Sequence, residues 1–345
     1  MKVALDISPL KTGHQFRGIG VYTESLKKAL EESKIPDFGI ELIESGKSPQ
    51  GCDLIHYPFF DLFFLTLPIK KIKPTVVTIH DVIPLVFPEH YPVGLRGLFK
   101  FQVQKKSLKN VRSVITDSEN SKKNIFKYLN YPKEKIYVVP LAPAKDFKVI
   151  KNNDFLDKIQ KKYKLPEKFI LYVGDVNYNK NVLGLIKAFA DFRNQEKDFK
   201  LVLVGKAFLE EDLKETQEII KLINLLDSNK NIIRLGWIPQ EDLVGIYNSA
   251  AVYCQPSFYE GFGLPVLEAM ACGCPVLAAN TSSLPEVCGK AAIMFDPYNI
   301  KSIIEGIKMA LDQKSDLMAK GLRQVENFNW EKVAQKTYEV YQKVV

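Results

Sequence analysis

The chain has no apolar run of the roughly 20 residues a membrane-spanning helix needs. The apolar run at residues 59–67 is broken by Asp61 and ended by Pro68. Residues 1–7 are interrupted by Asp6 and lack a cleavage-site pattern, so they read as a first strand and not as a targeting segment. Cysteine is sparse: five residues, at 52, 254, 272, 274 and 288, with no CxxC pair. That spacing excludes a zinc ribbon and suits reduced thiols filling a core, which points to a cytoplasmic protein. Histidine occurs four times and no Asp-x-Asp stands at a strand end, so no metal site is expected. No repeat of 20 to 50 residues recurs, which excludes a solenoid.

What is present is ordinary for a globular protein: 46% hydrophobic and 26% charged residues. A length of 345 residues suits two domains. Charge is uneven. Residues 1–165 carry 28 Lys and Arg against 17 Asp and Glu, a net +11, and the remainder carries −3. No nucleic-acid motif accompanies the basic half, so nucleic acid is not an expected partner. An anionic membrane surface, contacted peripherally, or an anionic lipid-diphosphate acceptor fits better.

Short β-type runs alternate with helical patterns, as in a doubly wound α/β domain. The first half predicts strands at 2–7, 54–57, 75–79, 113–116 and 136–139, and helices at 20–33, 95–109 and 118–128, with Asp117 or Ser118 as a cap. A Lys- and Asn-rich stretch at 148–154 marks a linker. A second β/α series follows, with strands at 169–173, 201–204, 232–235 and 252–255 and helices at 182–192, 209–226 and 241–248. The expected division is 1–160, 161–330 and a C-terminal amphipathic helix in 331–345. Helix 95–109 sets Lys100, Lys105, Lys106 and Lys109 beside Leu98, Phe99, Phe101 and Val103. Resting on a bilayer and packing into a core with a solvated basic face fit it equally.

The most informative segment is Ser257-Phe-Tyr-Glu260-Gly-Phe-Gly-Leu-Pro265-Val-Leu-Glu268-Ala-Met-Ala-Cys-Gly273. It places Glu260 before a helix, Gly261 and Gly263 at its mouth, Pro265 in its first turn and Glu268 further inside. Gly273 suits the position past the end. Such a helix start offers bare N–H groups and a positive dipole to a phosphate. Spacing alone fits equally well a capped helix with a solvated carboxylate at each end.

Elsewhere Gly18 and Gly20 allow close backbone approach at a first strand-to-helix turn, where Arg17 is placed to touch phosphate or acceptor. The third glycine and acidic partner of a dinucleotide fingerprint are missing. His80 and Asp81 follow a strand, at the edge where doubly wound sheets bind ligands. A hydrogen-bonded loop histidine is the alternative for His80, and His56 reads as structural. His14 falls in the loop before Gly18.

These residues resemble glycosyltransferase family 4, retaining enzymes of the GT-B fold. The Glu260-x7-Glu268 spacing carries the likeness. So do Gly18-Ile-Gly20-Val-Tyr22, Thr78-Ile-His80-Asp81-Val-Ile-Pro84 and Tyr172-Val-Gly174-Asp-Val-Asn-Tyr-Asn179-Lys180-Asn181. Leu201-Val-Leu-Val-Gly205, Leu235-Gly236-Trp-Ile-Pro239 and Ser283-Leu-Pro285-Glu286-Val287 complete the series in the family's order.

The resemblance implies two Rossmann-like domains with a cleft between them, the last helix returning to the first domain. It implies a hexosyltransferase that moves a sugar, mannose first, from GDP-mannose or a UDP-sugar to a glycan or lipid-linked acceptor in surface polysaccharide synthesis. The nucleotide sugar is a co-substrate, and no cofactor is implied. Glu260 would contact the donor sugar, Glu268 the ribose hydroxyls, Lys180 the diphosphate and His80 the transfer site. Gly205, Gly261, Phe262, Gly263 and Leu264 join the donor-binding set. Asn179 falls where the family carries a cation, a departure that bears on donor choice. Another GT-B enzyme, either an epimerase or a glycogen-type synthase, and an inactive sugar-nucleotide-binding subunit are the competing readings.

Overall fold

The computed structural model describes residues 1–11, 18–44, 49 and 51–345. Each of its two compact units is built on one six-stranded, wholly parallel sheet. The first unit comprises Met1–Ala142 and Phe328–Val345, the second Pro143–Asn327.

In the first unit the strands are β1 (Lys2–Asp6), β2 (Gly39–Ile43), β3 (Leu54–Tyr57), β4 (Thr75–Thr78), β5 (Ser113–Thr116) and β6 (Ile136–Val138), in the order β2-β1-β3-β4-β5-β6. Their helices are α1 (Gly18–Glu31), the short α2 (Ile83–Val86), α3 (Leu95–Leu108) and α4 (Glu119–Asn124). Buried runs such as Val3, Ala4 and Leu5 of β1 and Val76 and Val77 of β4 are covered on both faces, as a parallel sheet requires. Of the two capping candidates, Ser118 takes the role: its hydroxyl accepts from Ser121 N at 3.0 Å. Strand β2 has no counterpart in the sequence reading. It is a half-exposed edge strand whose only buried residue is Ile43, so the apolar signal is faint.

The second unit holds α5 (Asn153–Tyr163), β7 (Phe169–Val173), α6 (Val182–Arg193), β8 (Lys200–Val204), α7 (Lys214–Leu225), β9 (Ile232–Leu235), α8 (Gln240–Ser249) and β10 (Val252–Gln255). It continues with α9 (Leu264–Ala271), β11 (Val276–Ala279), α10 (Leu284–Cys288), β12 (Ala292–Phe295), α11 (Ile300–Asp312) and α12 (Lys314–Val325). The strand order is β12-β11-β10-β7-β8-β9. The chain passes between units at 142–143, so the Lys- and Asn-rich stretch belongs wholly to the second. Asn248 anchors that stretch by accepting from Ile150 N and donating to Lys148 O, and α5 is tied to α8 through Lys162 and Tyr163 on Asp242.

The final helix, α13 (Trp330–Gln342), belongs to the first unit. Its Tyr341 is fully buried and its hydroxyl lies 2.7 Å from His56 Nδ1. His56 Nε2 meets Thr78 Oγ1 at 2.9 Å, and Thr78 meets the Tyr22 hydroxyl at 3.0 Å. Burial pushes the His56 imidazole down to about 3, so it is neutral, and the chain of hydroxyls satisfies both ring nitrogens. A structural histidine is what the sequence suggested. All five cysteines are buried and unpaired. No helix among the described residues is long and apolar enough to cross a membrane.

Candidate functional site

In an open parallel sheet, ligands bind beyond the carboxyl ends of the strands where the strand order reverses. In the second sheet that point lies between β7 and β10, the two neighbours from which the order runs outward in opposite directions. The loops leaving those two strands carry Asn179 and Lys180 on one side and Glu260 on the other. The topology therefore brings residues 80 positions apart into contact.

Lys180 Nζ lies 2.9 Å from Glu260 Oε1 and 2.7 Å from Oε2. The Glu260 side chain is almost wholly enclosed, and that of Lys180 remains partly open. Two further donors converge on Oε1: Gln255 Nε2 at 2.8 Å and the Ser257 hydroxyl at 2.6 Å. The backbone is held as firmly. Glu260 N donates to Ser282 Oγ, and the Ser283 hydroxyl reaches the carbonyls of Glu260 and Phe262 at 3.0 and 2.7 Å. Gly261, Phe262 and Gly263 are buried as this loop enters α9.

Gly263 takes φ 106° at the N-cap of α9, a conformation that disfavours any side chain, and an added Cβ would also meet Leu284 at 2.7 Å. Leu264 opens the helix, followed by Pro265. At the far end Gly273 N bonds Met270 O and Cys274 N bonds Ala269 O, closing the helix with a Schellman turn. Gly205, leaving β8, backs directly onto β7: a Cβ there would stand 2.0 Å from the Gly174 carbonyl oxygen.

Asn179 is buried, and its amide donates to Tyr259 O at 2.9 Å while its own carbonyl accepts from Phe258 N at 2.8 Å. It thus braces the loop that carries Glu260. Glu268, on α9, accepts from the Tyr247 hydroxyl at 3.0 Å. Burial pushes its carboxyl up to about 7, partly offset by that hydrogen bond. Relative to an unfolded chain, where it titrates near 4.5, the folded protein holds this proton more tightly. The stability it contributes is complete below 4.5 and is lost as pH rises to about 7.

In the first unit His80 follows β4, and its Nδ1 lies 2.7 Å from Asp117 Oδ2, just past β5. Burial alone would depress the imidazole. The charge and hydrogen bond of Asp117, with smaller contributions from Asp81 and the Pro58 carbonyl, outweigh it and leave its pKa raised. Tyr22 packs edge-on against the ring at 4.6 Å. Asp81 Oδ1 accepts from Ile83 N, shaping the turn into α2. Gly18 opens α1 on the surface and Gly20 is buried within it. Arg17 and His14 lie outside the described residues.

Sequence reasoning missed Asp117 as the partner of His80, Gln255 and Ser257 as donors to Glu260, and Tyr247 on Glu268. Gln255 and Asp117 carried a signal, being polar residues at the end of fully buried strands. Among the described residues no group of three His, Cys, Asp or Glu is placed to hold a metal ion.

Comparison with known proteins identifies the family. A family model described as "Glycosyl transferases group 1" matches residues 155–325, and one for "Glycosyltransferase Family 4" matches residues 40–142. The chain is 32% identical over 275 residues to O-antigen chain mannosyltransferase B of Escherichia coli, covering 79% of this chain and 71% of that protein. It is 29% identical to the serotype-specific mannosyltransferase WbdA of Escherichia coli, spanning about a third (34%) of that longer protein. Among solved structures, sucrose-phosphate synthase from Thermosynechococcus elongatus superposes with a TM-score of 0.78 at 20% identity, covering 99% of this chain and 98% of that one. WaaG, a glycosyltransferase involved in lipopolysaccharide biosynthesis, gives 0.73 at 14% identity and 99% coverage of both chains. These two likenesses speak for the fold. Taken with a sequence relative at 32% identity over most of its length, they place the chain in glycosyltransferase family 4, with the GT-B fold.

Proposed function

We propose that the protein is a retaining hexosyltransferase that moves mannose from GDP-mannose to a glycan or lipid-linked acceptor during surface polysaccharide synthesis. The observation that carries the reading is the Lys180–Glu260 pair at the mouth of α9. A departing diphosphate needs a cation and oriented amides, and Lys180 with the first turn of α9 supplies both. Glu260, fixed by Gln255 and Ser257, orients the sugar and stabilises positive charge at its anomeric carbon. In the transfer, the bond from that carbon to the phosphate oxygen breaks as the acceptor oxygen bonds on the same face. The acceptor proton passes to the leaving phosphate. His80, held by Asp117, orients the donor sugar. Mannose as the sugar is supported by the names of the mannosyltransferase relatives.

Purified protein is expected to transfer label from GDP-mannose to a mannose-terminated acceptor, and failure with GDP-mannose alongside success with a UDP-sugar would overturn the donor assignment. Glu268 adds a pH signature. Ribose hydroxyls donate to a carboxylate, so calorimetric affinity for GDP should rise with pH through about 7. Glu268→Gln should flatten that rise and weaken binding, yet raise stability at pH 8 by on the order of 2 kcal/mol, since the partly enclosed charge is gone. Unchanged affinity in the variant would remove the ribose role.

Peripheral contact with an anionic membrane belongs to the same reading. Leu95, Leu98 and Phe99 of α3 are exposed, as are Phe64 and Leu65, and Lys100 Nζ stands 4.9 Å over the Phe64 ring. Gln104 and Lys71 bind this loop to α3 as one surface. Co-sedimentation with anionic vesicles at low salt is expected and should fall in Phe99→Ser; equal sedimentation with neutral vesicles would contradict it.

A further inference from the structure

Beside the Lys180–Glu260 pair stands a row of aromatic rings that the transfer chemistry leaves unused. Phe258 and Tyr298 stack with centroids 4.6 Å apart and planes within 16°, and Tyr178 lies against Phe258 at 5.2 Å. Tyr298 is 64% exposed and Tyr178 37%. The rings come from three loops that leave the carboxyl ends of β12, β10 and β7. They belong to one sheet edge.

The loops are fastened to one another beneath the rings. The Asn181 amide donates to the carbonyls of Pro256 and Pro297 at 3.0 and 2.9 Å, and Phe258 N donates to Asn179 O. Tyr298 N is fixed by Asp296 Oδ1 at 2.9 Å. The platform is therefore built before any ligand arrives, which lowers the cost of binding. Tyr178 is two residues from Lys180, and Phe258 two from Glu260. The rings begin where the proposed transfer site ends.

We infer that Tyr178, Phe258 and Tyr298 form a subsite for the acceptor glycan, in which Phe258 backs the two tyrosines and the exposed rings of Tyr178 and Tyr298 receive the C–H faces of pyranose units next to the one being extended. A pyranose offers an apolar face of C–H bonds and a rim of hydroxyls. Flat aromatic faces bury the first by the hydrophobic effect, and tyrosine hydroxyls can hydrogen-bond to the second. A single sugar fills one ring, so affinity grows with chain length. The inference rests on the glycosyltransferase reading, but it is tested without a donor.

The wild-type protein is titrated by NMR with mannose and with α-linked manno-, gluco- and galacto-oligosaccharides of increasing length, and GDP affinity is measured in parallel. Expected is binding of at least one oligosaccharide series that strengthens with length. It should weaken by roughly tenfold in Tyr298→Ala and return in Tyr298→Phe, with GDP affinity unchanged in both. Tyr178→Ala should behave as Tyr298→Ala does. Equal oligosaccharide affinity in wild type and Tyr298→Ala, or no oligosaccharide binding at all, would overturn the subsite. Weakened GDP binding in Tyr298→Ala would also overturn it, assigning the rings to the nucleobase. A protein that transfers no sugar but binds oligosaccharides through these rings would lose the catalytic reading and keep this one.

Discussion

Glu260→Ala and Lys180→Ala are each expected to lower the rate of sugar transfer by about a hundredfold or more, the scale of losing one preorganised charge-stabilising group. The structure adds a second consequence. Glu260 is buried and gathers Lys180, Gln255 and Ser257 on its carboxylate. Deleting Lys180 strands the buried Glu260 carboxylate, and breaking such a pair costs about 3 kcal/mol or more, much of it the penalty of an uncompensated buried charge. Loss of activity alone would thus be ambiguous. Combining Lys180→Met with Glu260→Gln removes both charges and should recover most of the stability, as read by urea unfolding, while transfer stays at the level of the single variants. Recovery of activity with stability would mean that the pair only holds the loop together. Near-native turnover in Lys180→Ala would remove its role with the diphosphate.

Removing α13 should be the most damaging change to the fold. Trp330, Val333, Ala334, Val340 and Tyr341 of this helix are all buried. The large side chains among them are worth roughly 1.5–3 kcal/mol each, so their sum rivals the whole stability of a typical domain. A chain ending at Asn329 should lose the cooperative unfolding transition of the first unit and aggregate on expression. Tyr341→Phe is a milder test: it keeps the ring but leaves His56 Nδ1 without its hydroxyl, an expected loss of about 1–3 kcal/mol. The neutral state of His56 makes that loss independent of pH between 5 and 8. An unchanged unfolding midpoint after truncation would contradict the packing described for α13.

The sequence is informative wherever the signal is local. The buried strands β7, β8 and β10 announce themselves as short apolar runs, and the glycines and Pro265 around α9 announce its ends. The spacing of Glu260 and Glu268 is local too. The partners of those residues are not. His56 and Tyr341 are 285 positions apart, and His80 and Asp117 are 37. No periodicity couples such residues: the pairing of β4 with β5 brings His80 to Asp117, and the return of α13 to the first unit brings Tyr341 to His56. Asn179 shows the same limit from the other side. Its residue type suggested a weakened cation site, but what it does in the fold is brace the loop of Glu260 with its amide, which composition cannot reveal. Strand β2 escaped because an edge strand with one buried residue has no pattern to detect.

The most direct test of the account is a structure of the protein with GDP bound. A β-phosphate within hydrogen-bonding distance of Lys180 Nζ and the first-turn amides of α9, with the ribose hydroxyls on Glu268, is the predicted result. A diphosphate bound elsewhere, with Lys180 still closed onto Glu260, would contradict it.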